Sequence, residues 1–207
     1  MPRQSYVNGR YVPHASAAVH IEDRGYQFAD GVYEVIAVAG GAIVDEGPHM
    51  ERLFRSLAEM KMTAPASAAS MHVILHEVMR RCRVRDGAVY LQISRGVAPR
   101  NHAWPADIKP AMVVTARPIA WPRNFAEVRA IEILAVPDQR WGRPDIKTVA
   151  LLPNALARMQ ADAAGAADAW MVDEDGMVTE GTSANAWIVT EAGELITRQL
   201  SRAILAG

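Results

Sequence analysis

Hydrophobic and polar positions alternate along the first forty residues in a way that predicts strands. Ser5 to Val12 forms two short apolar runs around Asn8-Gly9, the dipeptide that best matches the positive backbone angles of a tight hairpin turn. Val32 to Ala39 is rich in β-branched and small apolar residues and ends at Gly40-Gly41. It therefore predicts a second hairpin, running on into Ala42 to Val44. The period then changes. Met50, Leu53, Phe54, Leu57 and Met60 recur at helical spacing, residues 64 to 70 break the pattern with Ala, Pro and Ser, and Met71, Ile74, Leu75, Val78, Met79 and Cys82 repeat it. Two amphipathic helices are predicted.

Ala88 to Ser94 and Ala111 to Ala116 predict further strands joined by a long loop. Prolines 118 and 122 mark Arg117 to Asn124 as a linker. The pattern thus divides the chain into a small α/β domain over 1–118, a linker over 119–124 and a second domain over 125–207. In the second domain, strands are expected near Val128 to Val136, around Ile146, and at Ala169 to Val172, Ala186 to Val189 and Leu195 to Thr197. A helix is expected from about Asn154 to Ala164. The fold class is α/β (α+β), with no internal repeat.

Composition narrows the function. Half of the 207 residues are hydrophobic, enough to build real cores. With 22 basic and 23 acidic residues the net charge is −1, which removes any electrostatic reason to expect nucleic acid or an anionic membrane as partner. A small-molecule partner is expected instead. No run reaches the roughly 18 apolar residues of a membrane span, and the N-terminus has no signal-peptide pattern, so a cytoplasmic protein is expected. Cys82 is the single cysteine; flanked by Arg80, Arg81 and Arg83, it reads as a buried thiol on a helix and not as a nucleophile.

Only Lys61, Lys109 and Lys147 are lysines. Lys147 lies in Asp145-Ile146-Lys147-Thr148-Val149-Ala150-Leu151-Leu152, an apolar setting in which desolvation disfavours the ammonium form, as a Schiff-base lysine requires. Lys109 shares the Asp-Ile-Lys triplet but precedes Pro110 in an expected exposed loop, so the triplet alone decides little. The plain alternative for Lys147 is a side chain that snorkels to water. Downstream, Thr179-Glu180-Gly181-Thr182-Ser183-Ala184-Asn185 places an acid at a strand end before small hydroxyl and amide groups. Such a segment suits a phosphate cradle and an acid facing a pyridine nitrogen, or a plain turn.

Asp30-Gly31-Val32-Tyr33-Glu34, His49-Met50-Glu51-Arg52-Leu53, Asp145-Ile146-Lys147 and Thr179-Glu180-Gly181, taken in order, resemble the fold-type IV enzymes that use pyridoxal 5′-phosphate (PLP). That family comprises D-amino-acid and branched-chain aminotransferases and aminodeoxychorismate lyases. The resemblance implies a small N-terminal α/β sandwich and a larger C-terminal PLP-binding pseudo-barrel, incomplete here. It implies that Lys147 carries PLP covalently, that Glu180 pairs with the pyridine nitrogen, and that Arg52 binds the cofactor phosphate with Thr182 and Ser183. No metal ligand is implied. In Ser94-Arg95-Gly96-Val97-Ala98-Pro99-Arg100-Asn101-His102, an extended run would place Arg100 and His102 on one side. This resembles the carboxylate trap of D-amino-acid aminotransferases, in which such an Arg and His reach the neighbouring subunit's site and Tyr33 completes it. A homodimer is implied.

The expected activity is transfer of the amino group from a D-amino acid such as D-alanine to 2-oxoglutarate, with ping-pong kinetics. Val35 and Ala37, on Tyr33's side of their strand, suggest a roomy pocket. The alternatives within the family are a branched-chain L-amino-acid aminotransferase and aminodeoxychorismate lyase. Family members continue beyond the position of Gly207, so the sequence is expected to be a fragment of a longer enzyme, with a truncated binding or interaction module as the alternative.

Overall fold

The computed structural model describes residues 3–207, which form two compact units. The first runs to Arg123 and also takes in Lys147–Val149; the second comprises Asn124–Ile146 and Ala150–Gly207.

The first unit is built on an antiparallel sheet of six strands: β1 (Gln4–Val7), β2 (Arg10–Pro13), β3 (Gly31–Ala39), β4 (Ala42–Ile43), β5 (Gly87–Ser94) and β6 (Ala111–Pro118). Their order is β2-β1-β6-β5-β3-β4. Both expected hairpins form. Asn8 and Gly9 turn at φ 44° and 90°, and Gly40 and Gly41 at 60° and 90°, the left-handed pair that lets a two-residue turn follow the twist of its strands.

In β3 the residues Val32, Glu34, Ile36 and Val38 are fully buried, while Val35 is exposed and Tyr33 and Ala37 are half-buried. One face of the strand therefore looks into the core, with a carboxylate among its aliphatic side chains. Helices α2 (Glu46–Glu59) and α3 (Ala68–Cys82) close that face. They follow a short α1 (Arg24–Phe28). Met50, Leu53 and Leu57 of α2 and Met71, Leu75, Val78 and Met79 of α3 are buried, with α2 packed on β3 and α3 on β6 and β1. The Ser67 side chain caps α3 by accepting from the Ser70 amide at 3.2 Å. Cys82 is half-buried and donates its thiol to the Gln4 carbonyl at 3.1 Å.

The expected linker differs from what forms. β6 continues through Pro118, which pairs with Gly87. Beyond it the Ile119 amide bonds Asp86 and the Trp121 indole bonds the Val38 carbonyl, so these residues belong to the first unit. Proline is tolerated at the end of this strand because, among the described residues, β1 pairs with β6 only at Val113–Thr115. No strand forms around Ile146. Instead the Tyr33 amide donates to the Lys147 carbonyl and the Val149 amide to the Gly31 carbonyl, both at 3.0 Å. Three residues thus extend the sheet along the edge of β3 that β4, paired only at Val38 and Ala39, leaves open.

The second unit holds β7 (Ile133–Pro137), α4 (Leu152–Ala163), β8 (Asp168–Val172), β9 (Val178–Gly181), β10 (Trp187–Val189) and β11 (Leu195–Thr197). β7 and β8 are parallel, β8 and β9 antiparallel, and β10 and β11 form a separate antiparallel pair. β7 begins five residues later than Val128, since β8 offers partners only from Ile133 onward; Val128 and Ile131 are exposed. α4 packs on β7 and β8 around Val136, Ala157, Ala161, Ala169 and Met171. Among the described residues no helix is long and apolar enough to cross a membrane.

Candidate functional site

A charged residue on the buried face of a strand needs partners. Glu34, wholly buried between Val32 and Ile36, has three such contacts. It accepts from Arg52 Nε at 2.8 Å, from Arg52 Nη2 at 2.6 Å and from His49 Nδ1 at 2.7 Å. Arg52 and His49 lie one turn apart on α2, so a single helix face delivers both to the carboxylate. Burial pushes the Glu34 carboxyl up, but the hydrogen bonds from Arg52 and His49 and the positive charges of Arg52 and Lys147 outweigh it and hold it below the ordinary carboxylate range.

Lys147 joins this cluster from the sheet edge. Its backbone N–H points to Ser56 Oγ of α2 at 3.4 Å, and its ammonium sits 4.4 Å from the centre of the Tyr33 ring, a cation–π contact. Lys147 is half-buried while Lys109 is exposed, so the two Asp-Ile-Lys triplets do part as the sequence suggests. Tyr33, Arg52 and Lys147 are thereby brought together, with Glu34, His49 and Ser56 as further members. Glu34 entered the sequence reading only within the Asp30–Glu34 motif, although its place in an alternating strand was the signal that marked it; Ser56 carried no signal.

Arg100 and His102 lie in the loop between β5 and β6 and are both exposed. The loop bends instead of extending; the Arg100 guanidinium is 4.8 Å and the His102 ring 5.6 Å from the Phe28 ring centre. Two buried arginines fix this loop. Arg24 donates to the carbonyls of Asn101 and His102, Arg95 donates to those of Met60 and Lys61, and both bond Asp30 Oδ2 at 2.8 Å. Arg95 also stacks 3.8 Å from the Trp104 ring centre.

Glu180, Thr182 and Ser183 belong to the second unit. Glu180, on β9, is buried; it is ion-paired with Arg140 Nη1 and accepts from Asn185 Nδ2 at 3.0 Å. Arg140 in turn donates to both oxygens of Asp138, and Thr179 Oγ1 donates to Asp138 Oδ2 at 2.7 Å. Burial raises the Glu180 carboxyl above its ordinary value despite the opposing charge and hydrogen bond of Arg140. Asp138 goes the other way: burial pushes it up, but bonds from Arg140 and Thr179 win and lower it. Thr182 is buried, its hydroxyl 2.5 Å from Asp168 Oδ1 and its carbonyl accepting from Asn154 Nδ2; Ser183 is exposed. The two hydroxyls are therefore not an equivalent pair. Asp138 and Arg140, just past the end of β7, escaped the sequence reading because nothing there showed that Glu180 would need a cation.

A lysine amine on a sheet edge, a buried carboxyl held by an arginine, and an arginine at a helix face are the donor types that a phosphorylated pyridine aldehyde requires. Residues 31–207 match the family described as amino-transferase class IV. The chain is 38% identical over 200 residues to a D-alanine aminotransferase of Bacillus licheniformis, covering 97% of this chain and 70% of that protein. It is 34% identical over 203 residues to a D-alanine aminotransferase of Staphylococcus haemolyticus, covering 98% and 71%. In fold it is similar to the Escherichia coli branched-chain amino acid aminotransferase, with a TM-score of 0.90 and 19% identity over all of this chain and 71% of that one. The chain belongs to the class IV aminotransferases, enzymes that use PLP.

Proposed function

We propose that the enzyme is a D-amino-acid transaminase, passing the amino group of a D-amino acid such as D-alanine to a 2-oxo acid, with 2-oxoglutarate as the expected acceptor. The observation that carries this reading is the cluster of Lys147, Tyr33, Glu34 and Arg52, supported by relatives named D-alanine aminotransferase.

Lys147 is the residue that would hold PLP, Glu180 the one that would meet its ring nitrogen, and Arg52, Thr182 and Ser183 those that would meet its phosphate. When bound, PLP supplies an electron-poor ring that accommodates the electrons released at the substrate's α-carbon. Lys147 Nζ takes the α-proton as general base. The raised pKa of Glu180 makes it a strong acceptor for a protonated ring nitrogen. Tyr33, Arg100 and His102 bind the substrate carboxylate, the last two reaching into the neighbouring subunit of a cytoplasmic homodimer.

The test is an absorbance spectrum of the purified protein with PLP, before and after D-alanine. The expected result is a visible band that needs Lys147, absent in Lys147→Ala, and that bleaches with D-alanine and recovers with 2-oxoglutarate. Bleaching by L-leucine and not D-alanine would overturn the D-specific reading and favour a branched-chain L-aminotransferase.

A further inference from the structure

On the two helices of the first unit, away from every residue assigned a role above, three side chains converge. His72 and His76 stand one turn apart on α3, and Glu46 opens α2. His72 Nδ1 lies 2.7 Å from Glu46 Oε1, His76 Nε2 lies 3.2 Å from Glu46 Oε2, and the two rings are 4.2 Å apart. All three offered ligand atoms fall within 4.8 Å of one another.

We propose that Glu46, His72 and His76 form a binding site for a first-row divalent cation, with zinc as the leading candidate. Two histidines at positions i and i+4 present their nitrogens to one point beside a helix, an arrangement suited to a cation that prefers imidazole. The carboxylate adds the hard third ligand and balances charge. Tetrahedral zinc with bonds of about 2.0–2.1 Å sets neighbouring ligand atoms about 3.3 Å apart; the 2.7 and 3.2 Å spacings end on different oxygens of Glu46, and the three ligand atoms, within 4.8 Å of one another, reach that geometry by side-chain adjustment. The histidine side chains are 55% and 40% exposed, so the cation has an open path and water completes its coordination. Calcium and magnesium, which take all-oxygen sites, are not expected to bind.

Occupancy would clip the start of α2 to α3. The first turn of α2 lacks a capping side chain, since Asp45 makes no side-chain hydrogen bond there. Its amides are therefore the ones a cation on Glu46 would most protect. The site stands apart from the transaminase reading, because no residue is shared.

The experiment is titration of the whole chain with cobalt(II), which reports tetrahedral nitrogen and oxygen ligation by visible absorbance, followed by displacement with zinc(II). The expected result is a single equivalent of cobalt giving a visible band that zinc removes and magnesium does not. Affinity should fall roughly tenfold or more in each of His72→Gln and His76→Gln, at least the loss that removing a supporting partner of a ligand causes, and Glu46→Gln should weaken binding as well. These substitutions, at one exposed and two half-buried positions, are checked for folding by their unfolding midpoint without metal, and zinc should raise that midpoint only in the parent protein. Absence of the band, or a band of undiminished affinity in His76→Gln, overturns the proposal.

Discussion

The two units stabilise themselves by different means. The first buries Val32, Ile36, Leu53, Leu57, Met71, Leu75, Leu91 and Ile93 almost completely, between a continuous sheet and two helices. The second relies on a core of Val136, Met171 and three alanines, and leaves its β10–β11 pair uncovered, with Ile188 at 52% and Val189 at 71% exposure. What it lacks in apolar burial is partly matched by a chain of charged contacts through Thr179, Asp138, Arg140, Glu180 and Asn185. The lesson is that Lys147 stands on the better-buried framework, whereas Glu180 is held by polar partners that pH and substitution perturb more readily.

Removing the charge at the heart of the first unit should have the largest effect. Glu34→Ala leaves Arg52 and His49 facing a vacated carboxylate and is expected to cost roughly 3–5 kcal/mol, read by chemical denaturation. A loss under about 1 kcal/mol would mean that the cluster relaxes to water. Next, Leu53→Ala in the first unit should cost about 2–5 kcal/mol through its cavity. The matching Met171→Ala in the second should fall at the low end of that range, because few large neighbours surround it; hydrogen exchange resolved by unit distinguishes the two.

The carboxylates give opposite pH signs. Glu34, depressed when folded, contributes stability that is present above its unfolded pKa near 4.5 and is lost as pH falls through its lower folded value. Glu180, raised when folded, costs stability above its folded value, and that cost is relieved as pH falls through it toward 4.5. Acidification from neutrality to pH 4.5 should therefore slow exchange in β9 relative to its Glu180→Gln variant, while β3 weakens only below pH 4.5. Loss of exchange protection in both strands together above pH 4.5 would contradict this assignment. The smallest effect is expected at the uncovered hairpin: Ile188→Ala should change stability by no more than about 0.5 kcal/mol.

Much of this was legible along the chain. The Asn8-Gly9 and Gly40-Gly41 turns, the alternation of β3, and the stripes of α2 and α3 each express a local rule, a turn angle or a repeat period, that acts within a short stretch of chain. Lys147 was legible too, as a lysine in an apolar run, and Glu180 as an acid before a small-residue turn. The sequence did not show that residues 147–149 join the first unit's sheet, that Pro118 ends a strand and not a linker, or that Arg140 would answer Glu180. Nor did it show that His72 and His76 would meet Glu46, although their four-residue spacing on a predicted helix was a readable half of that signal.

What the sequence by itself determined were the elements and the chemical types at their positions, because backbone angles and apolar periodicity are set by near neighbours. Which strand edge was left open for Lys147, and which cation each buried carboxylate received, was decided only by tertiary structure. Those outcomes depend on pairings between segments far apart in the chain, where burial makes an unpartnered charge costly and the fold selects the partner within reach.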